Sequence, residues 1–387
     1  MDFTYSEEQD AVRDLAGRIF TERVTHERLK AIETAAADEG PFDRELWSEL
    51  AKAGLLGIAL AEDVGGSGLD FVAACLVIEA AGRTAAYVPV VETMIYGAAP
   101  IERFGTPDQR AAWLPGVSSG TTILTAALAE LAGEVILPGS SAPATTATAQ
   151  ADGTWILNGT KACVPAAYVA DAVLVPATLT ATDGSSTGVG VFIVDSNSRG
   201  MTYIRQTTTT GRPEAIIEFA GVAVPADRQL GDHVDGEAII TVMTELATTA
   251  LCVQEAGACA AALVLTAEYT KTRVQFEKPI ATFQAVGQRA ADAYVDTEAI
   301  RLTAWQAASR LADGLTASSE VAVAKYWAAE GGQRVVHAAA HLHGGVGVDR
   351  DYPLHRFFLL TRHIELTLGG ANESLRRLGR ILAAEPV

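Results

Sequence analysis

The sequence predicts an α+β fold in which a helical domain, a β domain and a second helical domain follow one another along the chain. Apolar residues recur at three- and four-residue intervals in residues 1–120 and 231–387, which is typical of helices packed on a core. Residues 121–230 are instead rich in Thr, Val, Gly and Ala, in short runs separated by turn signals. The chain of 387 residues also exceeds the size at which one hydrophobic core keeps growing, so we expect more than one domain.

The N-terminal helices are predicted from "SEEQDAVRDLAGRIFTERV" and "FDRELWSELAKAGLLGIAL", in which apolar residues return every three or four positions. Ser6 and Gln9 have the spacing of a capping box, in which each side chain bonds the backbone amide of the other residue. The sequence therefore predicts a helix that begins directly after Ser6.

The central domain is predicted from four β-rich runs, which read "TWILNGTK", "DAVLVPA", "GVGVFIVD" and "AIIEFAGVAV". Asp-Gly, Asn-Gly and Gly-Ser pairs in this region are turn signals. We expect a compact antiparallel β domain over residues 121–230.

Helical periodicity returns after Pro225, beginning with a long alanine-rich stretch from about Gly236 to Arg273. Two more helical segments follow in "FQAVGQRAADAYVDTEAIRLTAWQAASRLADG" and "SEVAVAKYWAAEGGQRVVHAAAHLHG". Alanine favours helix and allows neighbouring helices to approach closely. The C-terminal part is therefore predicted to be a tightly packed bundle.

The charge and the N-terminus restrict the possible partners. A formal net charge of -18 disfavours nucleic acid, because binding it depends on neutralising phosphates with Lys and Arg. We find no basic-then-apolar signal peptide in "MDFTYSEEQDAVRD" and expect no apolar run long enough to span a bilayer. The protein is expected to be cytoplasmic, with no membrane partner.

The four cysteines, Cys75, Cys163, Cys252 and Cys259, lie far apart or within apolar helical stretches. They show neither the spacing of a metal site nor a Cys-x-x-Cys pair. We expect buried, reduced thiols and no bound metal.

Two motifs are specific enough to indicate a family. Residues 268–292 read "EYTKTRVQFEKPIATFQAVGQRAAD", and residues 341–358 read "HLHGGVGVDRDYPLHRFF". These motifs, together with the helix, sheet, helix order, make the whole chain resemble the acyl-CoA dehydrogenases. The resemblance implies a C-terminal four-helix bundle and FAD as cofactor.

In that family FAD lies across a subunit interface, and the first motif contacts the adenosine half of a flavin bound mainly by the neighbouring subunit. The resemblance implies that Arg273 contacts the pyrophosphate, which suits a permanent charge with several donors. It implies that the adenosine side is lined by Gln275, Phe276, Ile280, Phe283 and Gln284. Considered singly, Arg273 could be a helix-end cation and both phenylalanines could be core residues, but their joint spacing favours the cofactor role.

Gly344 and Gly345 resemble the second adenosine-side element of the family, in which glycine lets the backbone approach a phosphate or ribose closely. His341 stands where the family usually has Gln. It can still donate one hydrogen bond to the cofactor, or it can be a satisfied core histidine.

The base of the family reaction is missing from both of its usual places. Acyl-CoA dehydrogenases remove the α proton of a thioester with a carboxylate, which most members carry after the Gly-Gly element. Here that loop reads "LTLGGANESL", and Leu368 or Gly369 takes the place of the acid. A minority of members place the base on the preceding long helix, where this chain has Ala247.

Three neighbouring acids are displaced from these places. Glu245 would point roughly 200 degrees around the helix from Ala247. Glu365 and Glu373 are predicted to be surface or helix-cap charges. We therefore assign no catalytic residue to this chain.

The flavin-ring side also departs from the family pattern. The usual Thr-Glu-Pro loop with a following Gly-Ser is replaced by "TAALAELAGEVILPGSS" at 125–141. The usual Lys-x-Trp-Ile-Thr/Ser loop is replaced by "GTKACVPAAYVADAVLV", which has no tryptophan to stack on the ring.

This asymmetry resembles the base-less subunit of bacterial heteromeric acyl-CoA dehydrogenases that act on steroid side chains. The resemblance implies an α2β2 assembly with a homologous catalytic subunit, a steroid-side-chain acyl-CoA substrate and a separate electron acceptor. Two alternatives are a self-sufficient homotetramer that uses Glu245 as base and a scaffold subunit that no longer contacts flavin. Arg273, Phe276 and Gln284 together argue against the scaffold.

Overall fold

The computed structural model describes residues 4–36, 40–131, 135–137, 142–181, 184–231 and 236–384. Contacts between residues divide the chain into two compact units. One unit comprises Met1–Lys30, Phe71–Ala86 and Thr248–Val387, and the other comprises Ala31–Asp70 and Tyr87–Ala247. The domain boundaries at residues 120 and 230 stay predictions.

Helices occupy both ends of the chain, as predicted. The N-terminal helices are α1 (Glu7–Arg23), α2 (His26–Ala35), α3 (Arg44–Lys52), α4 (Phe71–Thr84), α5 (Ala99–Phe104) and α6 (Pro107–Ser118), with a π-helical segment at Val91–Ala98 before α5. The C-terminal helices are α7 (Gly236–Thr272), α8 (Gln284–Ala312), α9 (Ser318–His343), α10 (Leu354–Leu366) and α11 (Ala371–Ala384). The capping box is confirmed, because Gln9 N–H donates to Ser6 Oγ at 3.2 Å and Ser6 N–H donates to Gln9 Oε1 at 3.0 Å.

Small residues bring α4 and α7 into close contact within the first unit. A Cβ atom added to Gly82 of α4 would lie 2.2 Å from the carbonyl oxygen of Gln254, and one added to Gly257 of α7 would lie 2.3 Å from that of Glu79. Real Cβ atoms do not approach backbone oxygens so closely, so both glycines are required. This close contact joins α7 to an N-terminal helix and depends on glycine rather than on the alanines from which a C-terminal bundle was predicted.

The helix α7 is long and apolar enough to cross a membrane by length and composition. This corrects the expectation that no such run exists. However, 67% of its apolar window is buried inside the protein, as is usual for the core helix of a soluble protein. Burial in the bundle therefore accounts for its composition.

The strands of the second unit form one sheet. Their bounds are β1 (Leu124–Ala126), β2 (Thr146–Ala149), β3 (Trp155–Pro165), β4 (Ala172–Thr180), β5 (Ser186–Asp195), β6 (Met201–Thr207) and β7 (Pro213–Val224). Within the described residues they form a seven-stranded sheet in the order β1-β4-β2-β3-β7-β6, with β5 paired to β4. Apolar residues such as Leu157, Val175, Phe192 and Ile217 fill the core against this sheet.

The predicted β domain is confirmed, but its sheet is mixed rather than wholly antiparallel. Both β1 and β2 run parallel to β4. The remaining pairs, β2 with β3, β3 with β7, β4 with β5 and β6 with β7, are antiparallel. The two parallel partners have three and four residues, too few for local periodicity to indicate their direction.

Candidate functional site

An open pocket of about 560 Å³ lies where α7 and α9 end. Six of the residues predicted to contact a cofactor line it together, namely Arg273, Gln275, Ile280, His341, Gly344 and Gly345. The three other predicted residues, Phe276, Phe283 and Gln284, are not part of its lining. Both sequence motifs therefore contribute to one concave surface.

The first wall of the pocket is built by a tight hairpin that follows α7. Strands β8 (Val274–Gln275) and β9 (Lys278–Pro279) pair in register across two turn residues, Phe276 and Glu277. Both turn residues have left-handed φ angles, 52° and 66°, which glycine or asparagine usually occupies in such turns. The backbone of Ile280 closes the hairpin by donating to the Arg273 carbonyl at 2.9 Å.

The tip of this hairpin carries an apolar side chain into solvent. Phe276 is 85% exposed. Its ring meets that of Phe283 edge to face at 6.1 Å, and the Lys278 ammonium lies 4.6 Å from the Phe283 ring centre. Aromatic residues are enriched at protein interfaces, so Phe276 is a candidate contact for another chain.

Arg273 is available to a ligand. Within the described part of the chain its guanidinium forms no hydrogen bond or ion pair, although it lines the pocket. A planar group with five donors and a permanent charge is suited to bind a diphosphate.

The second wall is the end of α9 and the glycine pair that follows. Gly344 has φ +61°, and a Cβ atom added to Gly344 or to Gly345 would meet nothing within 4 Å. This backbone therefore faces open space at the pocket, and a ligand can approach it without meeting a side chain.

Two aromatic residues that sequence reasoning missed, Tyr269 and His343, join these walls. Their rings stack at 4.3 Å, and both line the pocket. His343 Nδ1 lies 2.8 Å from the Ala339 carbonyl, so this nitrogen carries the proton, and Nε2 accepts from the Tyr352 hydroxyl at 3.2 Å. Burial lowers the pKa of His343, which favours this neutral form.

Signals for both residues were present in the sequence. Tyr269 lies one helical turn before Arg273, and His343 directly precedes the glycine pair. Residues at i and i+4 share one face of a helix. The assignment of Arg273 to a cofactor site therefore also indicated that Tyr269 lies on the same side.

The loop expected to carry the base connects α10 to α11 and contains Thr367, Leu368, Gly369 and Gly370, with no acid. Leu368 and Gly369 both have left-handed φ angles, 57° and 97°. The flanking acids are paired within their own neighbourhood. Glu365 accepts from Arg362, and Glu373 accepts from Arg380 at 3.0 Å.

A buried lysine fixes the end of α10 before this loop. Lys325 Nζ donates to the carbonyl of Ile364 at 2.6 Å and to that of Glu365 at 3.2 Å. Burial lowers the pKa of Lys325. Its ammonium satisfies carbonyls that a helix end leaves without partners.

A buried acid also lies in this helical core. Glu255 accepts from the Cys259 thiol at 3.5 Å, and Gly332 leaves room for its carboxyl group. Burial raises the pKa of Glu255 to about 8.

On α7, Ala247 is fully buried and Glu245 is 6% exposed. The alternative role of Glu245 as a base stays a prediction.

The β domain contains an ion pair that the sequence analysis overlooked. Lys161 of β3 is fully buried and donates to Glu130 at 2.5 Å. Burial lowers the pKa of Lys161 to about 8, although the neighbouring Glu130 carboxylate acts in the opposite direction. The predicted departure at 125–141 is described only in part, because residues 132–134 and 138–141 lie outside the described residues.

The expectation of buried cysteines is wrong at one position. All four thiols are free, but Cys163 is exposed. Its φ of 49° and the register shift between Lys161 and Val164 show that β3 is irregular there, which turns the side chain outward. Among the described residues no cluster of His, Cys, Asp and Glu could hold a metal ion.

Models of the N-terminal, middle and C-terminal domains of acyl-CoA dehydrogenases match residues 6–121, 138–220 and 235–381. The chain belongs to the acyl-CoA dehydrogenase family.

Similar acyl-CoA dehydrogenases include FadE27 of Mycobacterium tuberculosis, 38% identical over 397 aligned residues that cover 100% of each chain. The ChsE4-ChsE5 complex from Mycobacterium tuberculosis has a chain 38% identical with a TM-score of 0.91, covering 100% of both chains. A variant of the Tcur3481-Tcur3483 steroid ACAD has a chain 42% identical with a TM-score of 0.88, covering 98% of both.

Acyl-CoA dehydrogenases use FAD. The pocket residues fit its adenosine diphosphate half, because an unpaired guanidinium and an open glycine backbone face the same space. Arg273 would hold the diphosphate, and Gly344 and Gly345 would allow the ribose or phosphate to approach.

Proposed function

We propose that this chain is the supporting subunit of a heterotetrameric, FAD-dependent acyl-CoA dehydrogenase with two subunits of each kind. It supplies contacts to the adenosine half of FAD, and a homologous partner supplies the catalytic carboxylate. The substrate class that we propose is an acyl-CoA thioester carrying a steroid side chain.

One observation carries this proposal. Six predicted adenosine-side residues line a single pocket, whereas the loop Thr367 to Gly370 contains no acid. Thioester α protons are weakly acidic, so a base must be held within hydrogen-bonding reach of the α carbon. A chain that keeps cofactor contacts without a base fits a shared active site.

The reaction gives this subunit and its proposed partner separate roles. FAD held through Arg273 and the glycine pair would supply an acceptor for the β hydrogen of the substrate as hydride, and a separate acceptor would reoxidise it. The partner carboxylate takes the α proton, so that a double bond forms between the two carbons. Within this subunit, Arg273 and the glycine pair hold the cofactor from its other end.

Two relatives support the partner and the substrate class. One solved neighbour is the ChsE4-ChsE5 complex, and another is a variant of the Tcur3481-Tcur3483 steroid ACAD. Exposure of Phe276 at the hairpin tip further supports a covering partner.

The test compares the full chain purified alone with the chain co-purified with a homologous acyl-CoA dehydrogenase subunit. We expect the isolated chain to contain little flavin, because it lacks the usual flavin-ring loops, and to show no turnover, because it lacks the base. The complex should be yellow and should bleach when a steroid-side-chain acyl-CoA is added. Stoichiometric flavin with substrate-dependent bleaching in the isolated chain would contradict the proposal.

A further inference from the structure

The pocket at the ends of α7 and α9, which we call the nucleotide pocket, contains two opposite charges. Among its described lining residues, Arg273 and Asp349 carry a formal charge at neutral pH, and the lining also includes Tyr269, His341 and His343. Arg273 follows α7, and Asp349 follows the 3-10 helix Gly344–Val348. A site for a diphosphate needs the cation, but the anion has no role in holding phosphate.

The carboxylate of Asp349 is held in a defined position. Its Oδ1 accepts the backbone N–H of Asp351 at 2.9 Å. Both carboxylate oxygens can accept further hydrogen bonds. An ionised carboxylate accepts readily from a hydroxyl group but repels a phosphate.

The neighbouring charges in the sequence, Arg350 and Asp351, do not change the preference of Asp349 for a hydroxyl group over a phosphate. Asp351 pairs with Lys30 at 2.5 Å, so these two charges compensate each other. Neither Arg350 nor Asp351 belongs to the pocket lining. Asp349 is therefore the acid that a ligand in this pocket meets.

We propose that Asp349 determines which adenine nucleotide the pocket accepts, by taking a hydrogen bond from an unmodified ribose hydroxyl and repelling a ribose phosphate. The inference rests on the proposed cofactor contact and deepens it. A carboxylate that reads ribose hydroxyls is a recurrent solution in nucleotide sites.

Discrimination between a free and a phosphorylated ribose is useful in an enzyme that acts on CoA thioesters. The adenosine diphosphate half of FAD has a free ribose, whereas that of CoA carries a phosphate on the ribose 3′ position. Both molecules present the same base and a diphosphate, so Arg273 alone cannot distinguish them. Repulsion by Asp349 disfavours the CoA nucleotide in the cofactor pocket.

The experiment titrates the full-length chain with ADP and, separately, with 3′-phospho-ADP, and measures both affinities by calorimetry or ligand-observed NMR at low salt. We expect ADP to bind at least about fivefold more tightly, because one extra phosphate meets a fixed carboxylate. Raising the salt should reduce this ratio, since screening weakens the repulsion.

The decisive variant is Asp349→Asn, which keeps the size of the side chain and removes its charge. The preference for ADP should then fall to within about twofold. Asp351→Asn is the matched control, because it removes the same charge two residues away and outside the pocket lining. It should leave the preference as in the wild type.

Each outcome has a separate meaning. An unchanged preference in Asp349→Asn, or a wild-type chain that favours 3′-phospho-ADP, overturns the inference while leaving the cofactor contact intact. If Arg273→Ala binds ADP as well as the wild type does, the proposed cofactor contact fails instead. A wild-type chain that binds neither nucleotide overturns the inference, and the cofactor contact is then judged by FAD retention in the complex.

Discussion

The nucleotide pocket and the loop after α10 belong to the same compact unit, but they relate differently to the family pattern. The pocket brings together residues of both family motifs and leaves an unpaired arginine facing open space. The loop Thr367 to Gly370 keeps its place between two helices but has no group that could take a proton. The chain therefore keeps the residues proposed to hold the cofactor but lacks the base, although α9 both carries the glycine side of the pocket and, through Lys325, binds the end of α10.

The largest expected effect concerns the pocket. Arg273→Ala in the assembled complex should weaken FAD retention tenfold or more, since charge-assisted hydrogen bonds contribute roughly 1.5 to 3 kcal/mol each. Arg273→Lys should rescue retention only in part, because an ammonium lacks the planar fork of donors. FAD per tetramer after dialysis measures this, with circular dichroism to check folding.

The control for Arg273 is Lys271→Ala, which removes a cation two residues away. Lys271 pairs with Glu268 at 2.7 Å and is not part of the pocket lining. Equal flavin loss in both variants would mean that general surface charge, rather than a contact by Arg273, holds the cofactor.

The second prediction concerns the end of α10, directly before the loop Thr367 to Gly370. Lys325→Met should lower the free energy of unfolding by about 1 to 2 kcal/mol, because two buried carbonyls lose their donor. This loss of unfolding free energy is partly offset, because the variant no longer buries a charged ammonium group. Urea unfolding of the full chain measures it, and FAD per tetramer should remain unchanged. Flavin loss at unchanged stability would show that the end of α10 takes part in cofactor binding.

The third prediction concerns pH. The folded pKa of Glu255, about 8, lies above its ordinary 4.5, so its contribution to stability is full below pH 4.5 and is lost as the pH rises through 8. Cys259, Lys325, Thr361 and Glu365 are the groups that act on this carboxyl. Glu255→Gln should reduce the fall in unfolding free energy between pH 5 and pH 8, whereas the exposed Glu268→Gln should not. The same slope in all three proteins would assign it to other groups.

The smallest effect is expected for Glu245→Gln in the complex. Turnover should stay within about twofold of the wild type, whereas loss of a true general base costs about a hundredfold or more. Steady-state rates at matched FAD content decide between these outcomes. A hundredfold loss would make Glu245 the base and favour the homotetramer.

Much of the fold could be predicted from local pattern. Helical periodicity correctly indicated both helical ends, and the spacing of Ser6 and Gln9 gave the start of α1. The direction of β1 and β2 could not be predicted, because these strands pair with β4 across long intervening segments. Such pairing is decided by the tertiary structure rather than by neighbouring residues.

The candidate site was predictable where it follows a motif and not where it depends on contacts between motifs. Arg273 and the glycine pair could be named because each belongs to a recognisable run. The place of His343 directly before the glycine pair was a signal in the sequence, but its stacking on Tyr269, far away in the chain, needed the structure. Glu130 lies outside the strands and pairs with Lys161 of β3 at a separation of 31 residues, and nothing in either local sequence indicates this pair.

The exposed hairpin tip has a consequence for how cells must supply this protein. If the proposed partner covers this tip, a copy without it leaves Phe276 85% exposed, and exposed apolar surface favours aggregation. We expect the cellular lifetime of the chain to depend on balanced synthesis of the subunit that covers it. Abundance measured with and without co-expression of that subunit would reveal this dependence, and the variant Phe276→Ser should weaken it.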